Sequence, residues 1–448
     1  MPALAAPADA LTDPSAHERL MALKTAPLGG DVVGRRRDVV GVHGHDLIRF
    51  RFTDNHRLTK SCCRMENGIA PDWDRLVFSD RDASGPKGEP KTSSGAVRLG
   101  VITMTDKFWN IDMVRGRQAR DRLPRRTDGS GQIDWNEIEV ALIDTGYTEH
   151  PVFGPSQDGE SPFVRVDDGL NLIERGRRPF DPLAYEGTPG HGTRVGSVLC
   201  GNLPGSFVGV APGLPIVPYR AINHVVIHSK QARKHVAEAI RHGVDINACE
   251  VISMSIGLPQ MSLFGQRHLG EAVDHAYERG IVLVGAGGQV VDRVTYPGKF
   301  SRTIGVGGIR DDRMVWFEYE ESMAQRSIDV WAPADDVFRA NSVLTDGSVS
   351  AGDYGTGDGT SYATVHVAAA AAMWLRQHQD RIDDLYREPW QRVEAFRHLL
   401  AITSQPVEGD YWPDRSNGIL DIDALLGAGL PAPDDLAYQD RKAQDEIF

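Results

Sequence analysis

The sequence predicts an α/β fold: a mainly parallel β-sheet with helices on both faces, preceded by a smaller N-terminal region that contains strands. Two observations support the larger part. Short, almost continuous apolar runs, typical of strands buried on both faces, recur from residue 139 onward. Between them lie helical patterns that end at a glycine, a common helix terminator. Strand–helix alternation of this kind indicates a parallel sheet covered on both sides.

Six apolar runs are predicted to be buried strands: EVALID (139–144), PIVPYRAI (215–222), VISMSIG (251–257), IVLVGAG (281–287), TIGVGGI (303–309) and DVWAPA (329–334). Two intervening stretches are predicted to be helices: QARKHVAEAIRHG (231–243) and QRHLGEAVDHAYERG (266–280). Ligands of such folds gather at the carboxyl ends of the strands. We therefore expect the functional residues there.

The ends of the chain differ in composition from the centre. Residues 1–100 contain short predicted strands, at 39–52 and 74–80, and little helical periodicity. The Gly-, Pro- and Ser-rich stretch 82–96 has no apolar anchor and is predicted to be a linker. We expect three parts: a propeptide-like or regulatory region at 1–100, the main domain at 101–430 and an acidic C-terminal tail at 431–448.

Composition limits the possible classes of protein. The 448 residues are 41% apolar and 25% charged, the balance of a globular protein, and the net charge is −13. That charge argues against nucleic acid as a partner. No apolar run approaches the roughly 20 residues that cross a bilayer, so no membrane partner is expected. The N-terminus lacks the basic and apolar regions of a signal peptide, and we expect a cytoplasmic location.

Four cysteines in a chain of this length do not indicate a disulfide framework. Cys200 and Cys249 lie in apolar surroundings and are interpreted as core side chains. The adjacent Cys62 and Cys63 lie near histidines at 43, 45 and 56, but their spacing fits no standard zinc pattern. No metal site is predicted.

Three residues at predicted strand–helix junctions have complementary chemistry. Asp144 ends a strand, His191 follows Gly190 before a helical pattern, and Ser361 opens an alanine-rich helix after a Gly-Thr turn. Each alone is more simply a turn or cap residue. Together they supply a nucleophile, a base to take its proton and a carboxylate to orient the base. A serine at a helix N-terminus also brings its own N–H and the helix dipole to a developing oxyanion.

The segments ALIDTG (141–146), GHGTRVGS (190–197) and GTSYATVHVA (359–368) resemble the three active-site signatures of the subtilase family, in its order of Asp, His and Ser. Further similar segments lie at 208–222, 251–257, 294–300 and 329–334, so the resemblance covers roughly residues 107–430. It implies a subtilisin-like serine endopeptidase acting on protein or peptide substrates, with Asp144, His191 and Ser361 as the catalytic triad. No cofactor is required for that chemistry.

The resemblance also implies where a substrate lies. Ser255, Ile256 and Gly257 are expected to pair with the substrate backbone as an added strand. Gly285, Ala286 and Gly287 are expected to line the opposite wall of the pocket for the side chain before the cut. Thr295 is expected near the floor of that pocket.

The sequence departs from the family pattern at the oxyanion hole. The family's asparagine, whose amide stabilises the oxyanion, is replaced by Gly288, which has no donor. Loss of this donor in the family costs on the order of 10²–10³ in rate. The neighbouring Gln289 carries a similar amide one residue out of register, so Gln289 and Gly288 are the candidate oxyanion residues. A milder departure is Val365, where the family usually has proline.

The usual calcium loop of many subtilases corresponds to GNLPGSF (201–207), which has no carboxylate and only Asn202 as an amide side chain. A structural calcium is therefore not predicted, although the sequence leaves calcium elsewhere open.

Two other functions remain open for this chain. One is a catalytically weakened subtilase that acts as a regulatory or binding module, and the other is a peptide ligase on the same fold.

Overall fold

The computed structural model describes residues 37–43, 46–52 and 58–63, and residues 107–446 apart from 155–160, 228, 259–266, 321–326, 346–347 and 410–416. The chain divides into two compact units, Met1–Asp106 and Lys107–Phe448. The predicted linker at 82–96 and the predicted strand at 74–80 lie outside the described residues. The domain boundaries therefore stay a prediction.

The described part of the first unit is a three-stranded antiparallel sheet of β1 (Arg37–His43), β2 (Asp46–Phe52) and β3 (Leu58–Cys63). The predicted strand at 39–52 is thus a hairpin, with Gly41 opposite Ile48. Cys62 and Cys63 end β3, but the side chains of this unit lie outside the described set.

The second unit contains the remaining helices and strands. In chain order they are α1 (Trp109–Met113), α2 (Gly116–Arg122), β4 (Val140–Asp144), β5 (Leu170–Asn171), α3 (His191–Cys200), β6 (Asn202–Leu203), β7 (Phe207–Val208), β8 (Ile216–Arg220), α4 (Lys230–Asp245), β9 (Val251–Met254), α5 (Arg267–Tyr277), β10 (Val282–Ala286), β11 (Ile304–Ile309), β12 (Val330–Pro333), β13 (Val337–Thr345), β14 (Ser348–Gly357), α6 (Thr360–Leu385), α7 (Trp390–Thr403) and α8 (Ile422–Gly427).

Seven strands form one parallel sheet in the order β12-β11-β10-β9-β4-β8-β5. The six strands and two helices predicted from the sequence all appear, with ends that differ by a few residues. The order places β4, which carries Asp144 at its carboxyl end, between β8 and β9. The predicted α/β fold with a mainly parallel sheet is confirmed.

Helices cover both faces of this sheet. In β4, Val140 and Leu142 belong to a core that includes α3 and α6, whereas Ala141 and Ile143 belong to a second core with α4 and α5. Successive residues of a strand point to opposite faces, so a strand buried on both sides must be apolar throughout. This requirement explains the continuous apolar runs. No helix in the described part of the chain is long and apolar enough to span a bilayer.

Two of the features that were not predicted concern the segment before α6 and the C-terminal residues. The segment before α6 is a long antiparallel hairpin, β13–β14, with an irregular register between Asn341 and Val343. The C-terminal residues, expected to be an acidic tail, instead pack on the domain at the 3₁₀ turn Ala443–Asp445, where Ala443 is fully buried. A second 3₁₀ turn, Pro433–Asp435, has no buried residue. The C-terminal residues that pack on the domain bury backbone and polar groups rather than large apolar side chains, so hydrophobic periodicity does not detect them.

Candidate active site

Asp144 and His191 meet where β4 ends and α3 begins. His191 is the first residue of α3, and its Nδ1 lies 2.8 Å from Asp144 Oδ1 and 2.9 Å from Oδ2. Asp144 is fully buried, and His191 is 8% exposed. The second ring nitrogen, Nε2, is left for another partner, so the carboxylate selects the tautomer in which Nδ1 carries the hydrogen.

Close packing of α3 against β4 fixes this contact. A Cβ at Gly192 would lie 2.2 Å from Gly146 O, so only glycine allows the helix to approach this closely. The Gly192 N–H donates to Thr145 Oγ1 at 3.0 Å, and the Thr148 N–H donates to Thr193 Oγ1 at 2.7 Å. The residues that flank His191 in the Gly-His-Gly-Thr segment therefore fix how the start of α3 packs against the end of β4.

Asp181 is a buried carboxylate that the sequence reasoning missed. Its Oδ2 accepts the Gly190 N–H at 2.7 Å and the Tyr185 hydroxyl at 3.0 Å, and its Oδ1 accepts the Leu183 N–H at 2.9 Å. Burial, with the Asp181 charge adding to it, raises the pKa of the Tyr185 hydroxyl, which remains a donor at neutral pH. Asp181 thus positions the residue before His191. An Asp before a proline gives no sequence signal for such a role, because it is typical of any turn.

Ser361 is the second residue of α6, after Gly359 at φ 144°. Its Oγ donates to Ser255 O at 3.3 Å, and Ser255 Oγ donates to Ser361 O at 2.8 Å. Within the described residues, Ser361 Oγ makes this bond and not one to His191 Nε2. The two serines therefore link the candidate nucleophile to the end of β9.

A pocket opens beside Ser361. Its walls include Ser255, Ile256 and Gly257 on one side and Ala286 and Gly288 on the other. The remaining lining residues are Val225, Val226, Gln289, Val290, Thr295 and Thr360. All the lining side chains are uncharged.

Gly285 and Gly287, also expected at this wall, face other groups. A Cβ at Gly285 would lie 2.6 Å from Gly298 Cα, and one at Gly287 would lie 2.6 Å from the Tyr319 hydroxyl. Both positions need glycine because neighbouring groups pack directly against the strand. The alternation of a strand leaves Ala286, between them, to line the pocket.

Gly288 adopts a conformation that disfavours other residues. Its φ is 91°, and a Cβ there would lie 2.7 Å from Thr295 Oγ1. The Gly288 N–H donates to Thr360 Oγ1 at 3.2 Å, and the Tyr319 hydroxyl donates to Gly288 O at 2.7 Å. An asparagine at 288 would therefore meet both backbone strain and a steric conflict.

Gln289 turns toward the N-terminus of α6. Its Oε1 accepts the Thr360 N–H at 3.1 Å and the Thr360 hydroxyl at 2.9 Å. A Cβ at Gly359 would lie 2.9 Å from Gln289 Nε2, so the amide nitrogen is beside the glycine two residues before Ser361. The Thr360 hydroxyl already donates its hydrogen to Gln289, and Nε2 makes no hydrogen bond to the described residues.

The loop that corresponds to the family's calcium loop is a short hairpin in which Asn202 pairs with Val208. Within residues whose side chains are described, no group of three or more His, Cys, Asp or Glu side chains is arranged to hold a metal ion. The expectation that no calcium binds at this loop stays a prediction.

Comparison with known proteins identifies the family. The model described as "Subtilase family" matches residues 136–429. "Intracellular serine protease" of Paenibacillus polymyxa is 27% identical over 328 residues, covering 70% of this chain and 89% of the relative. "Subtilisin E" of Bacillus subtilis (strain 168) is 28% identical over 249 residues, which is 54% of this chain and 56% of that relative's length.

Among solved structures, a mutant of the protease domain of PatA aligns with 67% of this chain and 97% of its own, at 21% identity and a TM-score of 0.49. The family match includes Asp144, His191 and Ser361, the three residues that carry the sequence resemblance. Because the match at 136–429 spans more than half of the chain, this protein belongs to the subtilase family of serine peptidases.

Proposed function

We propose that this protein is a serine endopeptidase that hydrolyses peptide bonds through Asp144, His191 and Ser361. The observation that carries the proposal is the contact of both Asp144 carboxylate oxygens with His191 Nδ1, at 2.8 and 2.9 Å, which leaves Nε2 as the proton acceptor. The name of the Paenibacillus relative, "Intracellular serine protease", supports the activity and is the basis for proposing a cytoplasmic location.

In the proposed reaction, Ser361 Oγ attacks the carbonyl carbon of the scissile bond while His191 Nε2 takes the hydroxyl proton. The buried Asp144 carboxylate stabilises the imidazolium that forms. His191 then donates this proton to the leaving amine as the C–N bond breaks, which gives an acyl-enzyme. A water molecule, deprotonated by His191 Nε2, attacks the ester carbonyl. The bond to Ser361 Oγ breaks, the new carboxyl end is released, and His191 returns the proton to Ser361 Oγ.

The first step requires Ser361 Oγ to leave Ser255 O. A rotation about the Cα–Cβ bond exchanges one staggered position for another, and the 3.3 Å contact that it breaks is a long hydrogen bond. Catalytic hydrogen bonds are often long or absent before substrate binds. Substrate that pairs with the backbone at Ser255–Gly257 would compete for the same carbonyl and favour the rotation.

The pocket supports a preference at the residue before the cut. Its lining side chains carry no charge, and the rim residue Val290 is 66% exposed. A charged substrate side chain would lose hydration there without gaining an ionic partner. We therefore propose that the enzyme cleaves after uncharged side chains.

The oxyanion hole is proposed to combine the Ser361 N–H with Gln289 Nε2. Two contacts support this assignment: Gln289 Oε1 is held by Thr360, and Nε2 lies beside Gly359 without a hydrogen bond to the described residues. The Thr360 hydroxyl is a poorer candidate because its single hydrogen is already donated to Gln289.

A second candidate is a weakened subtilase that acts as a binding or regulatory module. It is favoured by the lack of a donor at Gly288 and by the bond of Ser361 Oγ to Ser255 O instead of His191. An intact Asp144–His191 pair argues against it, since a pure binding module has no need of that contact.

Fluorophosphonate labelling tests the proposal directly, because the probe reacts with an activated serine and not with an ordinary one. We expect labelling and peptide cleavage by the native chain and neither by Ser361→Ala. Ser206→Ala, at an exposed serine in the loop between β6 and β7, is the matched control and should behave as the native protein. Absence of labelling in a folded native chain would favour the binding module. The mass of the product separates hydrolysis from ligation.

A further inference from the structure

The C-terminal segment Tyr438–Glu446 lies beyond the family match at 136–429 but is built into the domain. Ala443 is fully buried in the core that contains α4 and α5, and Glu446 is 8% exposed. A Cβ at Gly270 in α5 would lie 2.5 Å from Gln444 Cα, so the helix needs glycine where this segment crosses it. An acidic tail with no structural role would not need such an approach.

Arg302, a fully buried side chain, holds the first part of the segment. Its Nη2 donates to Gln439 O at 2.8 Å and to the Tyr438 hydroxyl at 2.6 Å, while its Nη1 contacts Asp274 Oδ1 at 2.9 Å. Asp274 also accepts the N–H groups of Ala443 and Gln444, at 2.8 and 3.1 Å. A buried charge stays favourable only when it is paired and hydrogen-bonded, as Arg302 is.

The end of the segment contacts Tyr296, the neighbour of a residue that lines the pocket. The Tyr296 hydroxyl donates to the backbone oxygen of Glu446 at 2.8 Å, and the Ser301 N–H donates to Glu446 Oε1 at 3.0 Å. Tyr296 follows Thr295, which lines the pocket. Its backbone also pairs with Leu258, next to the opposite wall at Gly257. Tyr296 is thus linked along the chain to Thr295 and through Leu258 to Gly257, both of which line the pocket.

We propose that Tyr438–Glu446 positions the substrate pocket, with the bond from the Tyr296 hydroxyl to Glu446 O as the link. Tyr296 and Glu446 are positioning residues, since neither lines the pocket. The proposal rests on the proposed peptidase function, because it treats this pocket as the one that binds the substrate side chain. It predicts that weakening the link affects substrate binding more than the chemical step.

Two tyrosine variants provide a matched test. Tyr296→Phe removes the hydroxyl that contacts Glu446, and Tyr277→Phe removes a hydroxyl on α5 that accepts the Gln439 N–H at 3.0 Å from the same segment. Each loses one hydrogen bond to the segment, buried at Tyr296 and half-buried at Tyr277, whose hydroxyl also bonds Glu394. Only Tyr296 adjoins the pocket. For a peptide anilide with an uncharged residue before the cut, we expect Tyr296→Phe to raise KM about three- to tenfold, the scale of one hydrogen bond, with kcat nearly unchanged. Tyr277→Phe should leave KM unchanged.

Backbone amide exchange gives a second readout that needs no activity. Residues 294–303 should exchange faster in Tyr296→Phe than in the native chain or in Tyr277→Phe. Equal KM changes in the two variants, or native exchange in Tyr296→Phe, would overturn the proposal. If the native chain neither labels nor cleaves, the peptidase function fails and the exchange result alone decides the positioning role. If Tyr296→Phe does not fold, a chain that ends at Asp445, and therefore lacks the Glu446 backbone oxygen that the Tyr296 hydroxyl contacts, is held to the same outcomes.

Discussion

Gln289 holds the first turn of α6 through its side-chain oxygen, which accepts both the N–H and the hydroxyl of Thr360. Fixing Oε1 also restricts Nε2, because the two atoms belong to one planar amide. The assignment of oxygen and nitrogen follows from these hydrogen bonds, since Thr360 N–H requires an acceptor. Gln289 therefore has two separable roles, a clamp on the helix that carries the nucleophile and a donor to the oxyanion.

Two substitutions at Gln289 distinguish these roles. Gln289→Glu keeps an acceptor for Thr360 but removes the amide donor, whereas Gln289→Ala removes both. If Nε2 serves the oxyanion, we expect kcat to fall on the order of 10² in both variants, as for loss of such a donor, with KM changed little. Steady-state kinetics on a peptide anilide measures this. A native kcat in Gln289→Glu would exclude the role as oxyanion donor. Gln289 would then serve only to hold Thr360 at the start of α6.

The sequence predicts the candidate catalytic residues but not the residues that position them. Asp144, His191 and Ser361 are recognisable because their types, order and flanking glycines are specific. The direction of Gln289 depends on the φ of 91° at Gly288 and on Thr360, which is distant in sequence. Asp181 reaches Gly190 across a turn containing Leu183 at φ 60°, a conformation that no local preference predicts.

Among the elements, α6 carries Ser361 in its first turn, beside the pocket, and a histidine further along its buried interior. His366 is fully buried, its Nδ1 lies 2.7 Å from Tyr362 O, and its Nε2 lies 2.9 Å from Asn110 Nδ2. The carbonyl requires a hydrogen on Nδ1 and the amide requires an acceptor at Nε2, so the ring is neutral. Burial lowers the pKa of His366 to about 4, only partly opposed by the bond to Tyr362 O.

This shift makes the stability of the domain sensitive to acid. Between about pH 6.5 and about pH 4, the unfolded chain binds a proton at His366 and the folded chain does not, so the free energy of unfolding falls as the pH is lowered. The contribution of neutral His366 to the free energy of unfolding is fully present above that pH range. Its complete loss below the range amounts to about 3 kcal/mol. We expect His366→Gln, which cannot titrate, to flatten the pH dependence of urea unfolding over this range. A slope identical to that of the native chain would contradict the assignment.

The helices and strands that the sequence predicts are those with many apolar residues. The strands of the parallel sheet are buried on both faces and so are continuous apolar runs. The β13–β14 hairpin contains Gly, Ser, Asp and Asn, and its pairing is set by backbone contacts between residues on its two strands. The C-terminal segment is held by Arg302 and Asp274, and this pairing depends on residues more than 100 positions away.

At the scale of the whole molecule, the second unit contains its own cores and its own site. The three apolar cores formed by the described residues draw on residues from 108 onward, and the candidate catalytic and pocket residues all lie between 144 and 361. Domains with a core of their own fold independently in general. The sequence leaves the role of the first unit open between an inhibitory propeptide and a permanent regulatory or targeting domain.

We expect a chain of residues 107–448 to fold alone and to label with a fluorophosphonate at least as fast as the full chain, because the described contacts of the site lie within this unit. Circular dichroism on heating and the labelling rate measure the two expectations, with Ser361→Ala in both chains as the blank. Faster labelling of the shorter chain, slowed again when residues 1–106 are added as a separate peptide, would identify an inhibitory segment. Equal rates would favour a regulatory domain that does not cover the site. A shorter chain that remains unfolded, while the full chain folds and labels, would contradict the independence of the second unit, because its own cores would then be insufficient for folding.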